Sequence, residues 1–153
     1  LDTVLNIAIL KVNGEVPFKI SHRISPEDPK IGQAFFTLGI DEGLVLYEEG
    51  NLNSAGRNGI GKVKVGGGIS GAPLISEKGQ ILGMIADQPM EENGMTRVIY
   101  GSQIKNFVSN WQEQNDMKVE LPQRNKLFYS DREDQIAKVS TCIFEIEEKS
   151  PTT

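Results

Sequence analysis

From Gln33 to Tyr100 the chain is written in short apolar runs separated by glycine-bearing turns, and no other feature limits its fold as strongly. The runs QAFFTLGI (33–40), GLVLYE (43–48), IGKVKV (60–65), APLIS (72–76), QILGMIA (80–86) and TRVIY (96–100) each have the length usual for a β-strand. Short strands repeated at this spacing predict a sandwich or a barrel. The rhythm stops after Tyr100. Ile104, Phe107, Val108 and Trp111 recur at the i, i+3, i+4, i+7 spacing of an amphipathic helix over 102–114, with Gly101 or Ser102 placed to cap it. Upstream, VLNIAILKV (4–12) is apolar on both alternating faces and reads as a buried strand. Asn13-Gly14, Pro17, Pro26 and Pro29 then mark an irregular connector.

A length of 153 residues suits one core with an appendage, divided here as 1–114 and 115–153. Beyond Asn115 the composition turns polar; 131–138 is helix-compatible and Val139–Ile146 strand-like, with no role legible for either. No apolar run is long enough to span a bilayer, so no transmembrane segment is expected. A net charge of −5, with lysines and arginines scattered, argues against nucleic acid as a partner, because phosphate binding needs a clustered basic surface.

The stretch with chemical content is Gly66-Gly67-Gly68-Ile69-Ser70-Gly71-Ala72-Pro73-Leu74-Ile75. Glycines around a serine let the backbone approach a ligand closely. Amides at Gly68 and Ser70 could converge as an oxyanion hole, each such donor contributing about 3–4 kcal/mol to a transition state. Taken alone, the stretch equally fits a glycine-rich loop between strands. Two other motifs fail on inspection. Gly56 to Lys62 matches the start of a phosphate-binding loop, but Val63 stands where a magnesium-binding Ser or Thr is needed, and a strand follows in place of a helix. The hydrolase nucleophile elbow needs a glycine where Ala72 stands and a helix where Pro73-Leu74-Ile75 continues as a strand.

Gly68-Ile69-Ser70-Gly71-Ala72-Pro73-Leu74 resembles the Gly-x-Ser-Gly-Gly-Pro signature of trypsin-like serine proteases, including bacterial Deg-type relatives, with alanine for the second of the paired glycines. Gly79 to Ile85 resembles the family's next strand, and Asn6 to Val12 the Asp-Ile-Ala-Leu-Leu-Lys strand that ends its first barrel. Ile31 to Gly39 resembles the first strand of the second barrel, and Ile104 to Trp111 the closing helix. Four such segments in the right order, over about 4–112, are fairly specific. The resemblance implies an all-β fold: the second antiparallel barrel of the double-barrel protease fold, the last strand of the first barrel, and a C-terminal helix. It further implies Ser70 as nucleophile, the Gly68 and Ser70 amides as oxyanion hole, and Ala86, Asp87 and Gln88 as the strand that pairs with an extended substrate. Lys64 would stand near the primary specificity pocket and favour an acidic side chain. The expected partner is a peptide or protein substrate, with no cofactor and no membrane.

In the family's triad an aspartate stands where this chain has Asn6, and asparagine keeps geometry without charge. Asp2 lies roughly 13 Å away along a strand, too far to replace it. The single histidine, His22, follows Asn6 in the connector, out of the family's chain order, and reads as an exposed loop residue. A general base is therefore expected from a first barrel preceding Leu1. Cys142 lies in the tail without a histidine beside it, and one Cys with one His cannot form a zinc site. A lone cysteine, allowing no internal disulfide, fits a cytoplasmic bacterial setting. Two functions follow: a serine endopeptidase acting through an acyl-enzyme, or a catalytically silent protease-fold module that binds peptides or partner proteins. An unrelated small β-barrel with a serine loop is the third alternative.

Overall fold

The computed structural model describes residues 4–9, 23–42, 44–56, 59–65, 69–86, 94–116 and 118. Alternating and β-branched runs become β1 (Ala34–Asp41), β2 (Leu44–Asn51), β3 (Ser54–Ala55), β4 (Ile60–Lys64), β5 (Pro73–Ile75), β6 (Ile81–Ile85) and β7 (Met95–Tyr100). They form a single seven-stranded sheet in the order β2-β1-β5-β6-β7-β4-β3, with every neighbouring pair antiparallel. β3, only two residues long, carries no apolar run by which it could be read from sequence.

The sheet curls until its two ends meet. Just beyond β2, Leu52 N–H donates to Gln33 O at 3.0 Å and Asn53 N–H donates to Lys62 O at 2.9 Å. The Lys64 N–H donates to Asn53 Oδ1 at 2.9 Å, which ties the end of β2 to β4. Closure puts one face inside. Phe35, Leu52, Val63, Val65, Ile69, Ala72, Leu74, Leu82, Ile85, Val98 and Tyr100 form the main core, with Leu46 packed against it. Each large apolar side chain buried this way contributes about 1.5–3 kcal/mol.

The helix α1 (Gly101–Asn115) closes the outer face of β6 and β7. Ile104 and Phe107 pack beside Ile7, Ala86 and Ile99, with Leu5 and Met84 at the margin. The sequence pattern thus located the helix, but its cap differs. The N-cap is Tyr100 in an extended conformation without a side-chain cap, because β7 runs directly into the first turn. A second correction concerns 4–9. Val4 to Asn6 form a turn and Ile7 makes only an isolated bridge, so these residues are not a regular strand. Apolar alternation there serves packing against the helix and β7, not ladder pairing.

At the end of β7, Tyr100 is 2% exposed. Burial pushes its phenol above the usual value near 10; the Gly56 backbone opposes this and Asp28 adds to it. The fold therefore favours the neutral phenol, so this stabilisation is complete below the unfolded pKa of about 10 and is lost as pH rises through the raised folded value. Denaturant melts above pH 10 are expected to show a steeper stability loss for the native chain than for Tyr100→Phe. Parallel pH profiles would contradict the assignment.

Candidate functional site

Ser70 stands in a tight turn. The Ala72 N–H donates back to Ile69 O at 3.0 Å, and Gly71, third in the turn, has φ +84°. That is the backbone of a type II turn, whose third position favours glycine. Ser70 occupies the second position and is exposed, while Ile69 and Ala72 on either side are buried. The flanking pair anchors the turn in the core and presents the serine outward.

The turn is fastened to β6. Gly71 N–H donates to Ile85 O at 2.7 Å, and Ile85 N–H donates to Ala72 O at 2.9 Å. The next residue along, Ala86, has its N–H bonded to Arg97 O at 2.9 Å. Its carbonyl accepts from Asn6 Nδ2 at 2.8 Å, across eighty positions of sequence. Asn6 itself has φ 56°, a left-handed conformation that asparagine tolerates better than most residues. The Ser70 turn and Asn6 are therefore held by consecutive residues at one end of β6.

Other chain ends share this mouth of the barrel. The β1–β5 register pairs Phe36 with Ile75 and Thr37 with Leu74. Continued along both strands, it brings Ser70 level with the C-terminal end of β1. A Cβ on Gly39 would stand 2.6 Å from Ile69 Cγ2 and 3.1 Å from Ile69 Cα, so β1 and the residue before Ser70 touch directly. Lys64 ends β4 opposite Met95, exposed, with its stem 3.5 Å from where a Gly94 Cβ would be.

Of the residues singled out by sequence, Ser70, Asn6, Ala86 and Lys64 thus lie at one end of the sheet. Gly68, Asp87, Gln88, His22, Asp2 and Cys142 lie outside the described residues, as do the tail segments 131–138 and 139–146. Sequence reasoning passed over Gly39, although an isolated glycine within a strand run signals close backbone approach. Among the described residues no group of three His, Cys, Asp or Glu side chains could hold a metal ion, and no helix is long and apolar enough to cross a membrane. A groove of about 490 Å³ lies at the opposite end of β5 and β6, around Arg23, Glu27, Asp28, Lys30, Glu77 and Lys78. It is separate from the Ser70 mouth.

Among the described residues, a curled antiparallel sheet of seven strands followed by one helix is a protease-like half-barrel fold. Among solved structures the chain is similar to the inactive form of a serine-to-alanine mutant of Rv3671c from M. tuberculosis, with TM-score 0.52 and 16% identity. The match covers 63% of this chain and 56% of that one, so the chain spans little more than half of that protein's structure. At such identity the likeness speaks to the fold alone. No family model matches the chain, and no curated protein matches it.

Proposed function

We propose that this chain carries the nucleophile-bearing half of a trypsin-like serine endopeptidase, with Ser70 as the attacking residue. The observation that supports this reading is the end of β6, where Ile85 holds the Ser70 turn and Ala86 holds Asn6 through hydrogen bonds of 2.7 and 2.8 Å. The proposed reaction needs a third group between the serine and the side-chain amide. In the proposed reaction that group is an imidazole supplied from beyond these residues. It takes the Ser70 Oγ proton as Oγ bonds to the substrate carbonyl carbon, then returns the proton to the departing amine. Water hydrolyses the resulting acyl-enzyme and regenerates Ser70. The Gly68 and Ser70 amides are the proposed oxyanion donors.

Ala86 uses both its N–H and its C=O within the protein. A substrate strand would therefore pair with the residues that follow it, Asp87 and Gln88. Lys64, exposed at the end of β4, would favour an acidic side chain.

The amide at Asn6 favours a second reading, a peptide-binding module of the same fold without turnover, since a neutral amide cannot stabilise an imidazolium. Hydrolysis of an unstructured protein by the full-length protein separates the two. Turnover should fall by about 10³-fold or more in Ser70→Ala, as in other nucleophile deletions. Equal rates in both proteins, or none in either with peptide binding intact, would overturn the enzyme reading.

A further inference from the structure

β1 meets the Ser70 turn at two successive positions on its inner face. Phe35, Thr37 and Gly39 alternate along that face: Phe35 belongs to the main core, Thr37 is 0% exposed, and Gly39 lies against Ile69. The Thr37 hydroxyl donates from Oγ1 to Pro73 O at 2.8 Å, across thirty-six positions of sequence. One contact thus falls on the residue just before Ser70, and the next on the residue just past the turn. Inward positions on a strand are about 6.8 Å apart, and the ends of a β-turn lie within about 7 Å of each other. β1 therefore carries its two contacts at about the spacing of the turn that presents Ser70.

Pro73 gives the hydroxyl a specific task. Proline has no N–H, so its carbonyl is the one backbone hydrogen-bonding group by which it can be tied to a neighbour. Pro73 opens β5, and the register of β5 on β1 covers Leu74 and Ile75. On the other side, the register of β5 on β6 shifts between Leu74 and Ile75. Thr37 Oγ1 thus adds a side-chain tie between the turn and this irregular stretch of ladder. Across the turn, Ile85 holds Gly71 through its carbonyl and Ala72 through its N–H. Ser70 stands exposed between these two flanks, so the direction of its Oγ depends on how firmly each is held.

We infer that Thr37 is a positioning residue for Ser70: through Pro73, its buried hydroxyl fixes the turn and with it the direction of Ser70 Oγ. This rests on the proposed role of Ser70 and adds to it a residue that touches neither the substrate nor the reacting atoms. The hydroxyl carries the effect, and the methyl fills space. Thr37→Val keeps the branched shape and deletes the donor, whereas Thr37→Ser keeps the donor and deletes the methyl. Positioning through Pro73 makes valine the more damaging replacement at the turn. A role in packing alone makes it serine.

The test uses the full-length protein and two readouts: the rate of Ser70 acylation by a fluorophosphonate, and hydrogen exchange of single amides followed by NMR. Thr37→Val should acylate about tenfold more slowly, because a small misplacement of a reacting atom is costly. Its Gly71 and Ala72 amides should exchange about fivefold faster, the local opening that one lost hydrogen bond allows. The Val98 and Ile99 amides in β7 are the reference, and their exchange should change clearly less. Thr37→Ser should recover most of both effects despite its missing methyl. Equal acceleration at the turn and in β7 would report general destabilisation and overturn the inference. So would native-like acylation in Thr37→Val, or greater damage in Thr37→Ser. A native protein that takes no label removes the nucleophile reading alone. Turn exchange that rises in Thr37→Val and recovers in Thr37→Ser then still supports the role of Thr37, and unchanged exchange overturns it.

Discussion

Gly39→Ala is expected to destabilise the protein and to misplace Ser70 at the same time. The added Cβ would lie 2.6 Å from Ile69 Cγ2, 3.0 Å from its Cβ and 3.1 Å from its Cα. A side-chain rotation cannot relieve the last of these, so the Ile69 backbone must move. Overpacking of this kind costs about 1–3 kcal/mol. Ser70 is the next residue, in a turn fixed by only a few hydrogen bonds, and a displacement near 1 Å can cost a reaction about 10²-fold. Urea melts and the rate of Ser70 acylation should therefore both fall. A double-mutant cycle with Ile69→Ala makes the cause specific. Ile69→Ala alone removes a core side chain that is 1% exposed, for a cost of about 2–5 kcal/mol. The double variant should lose somewhat less than the sum, because the 2.6 Å contact with Cγ2 is gone while those with the Cβ and Cα remain. Strict additivity would place the strain elsewhere.

Asn6→Asp is expected to move stability and reactivity in opposite directions. The native amide donates from Nδ2 to Ala86 O at 2.8 Å. A carboxylate there turns an acceptor toward an acceptor and leaves the carbonyl without that donor, costing about 1–3 kcal/mol. A protonated carboxyl can donate again, so the fold raises the pKa of the introduced group. The deficit should accordingly be absent below its unfolded pKa of about 4 and appear as pH rises through the folded value. If an imidazole does seat between this residue and Ser70, the same carboxylate supplies the charge that asparagine lacks. Turnover should rise, within a ceiling near the 10⁴-fold that separates aspartate from asparagine in triads of this type. A stability deficit independent of pH would contradict the Ala86 contact. Lower stability with no gain in turnover would favour the peptide-binding module.

Much of the fold was legible because strand and helix periods were undisturbed. Val63 alternates with Lys62 and Lys64 and lands in the core, and Ile104 and Phe107 pack where their helical spacing put them. Residues 4–9 were misread because apolar alternation records burial, and burial here comes from α1 and β7 with no ladder to join. The positive φ of Asn6 was the local sign of a turn, but asparagine in an apolar run does not announce it. Ser70 was legible through its glycines; Gly71 holds the positive φ that the turn requires. The Asn6–Ala86 contact was not, since it joins residues eighty positions apart, and nothing local in either specifies the other.

The most direct measurement is labelling of the full-length protein with a fluorophosphonate, followed by mass-spectrometric location of the adduct. A single adduct on Ser70, absent from Ser70→Ala and slowed in Gly39→Ala, is the predicted result. Folded protein that takes no label, or takes it on another residue, would contradict the assignment of Ser70 as an activated nucleophile.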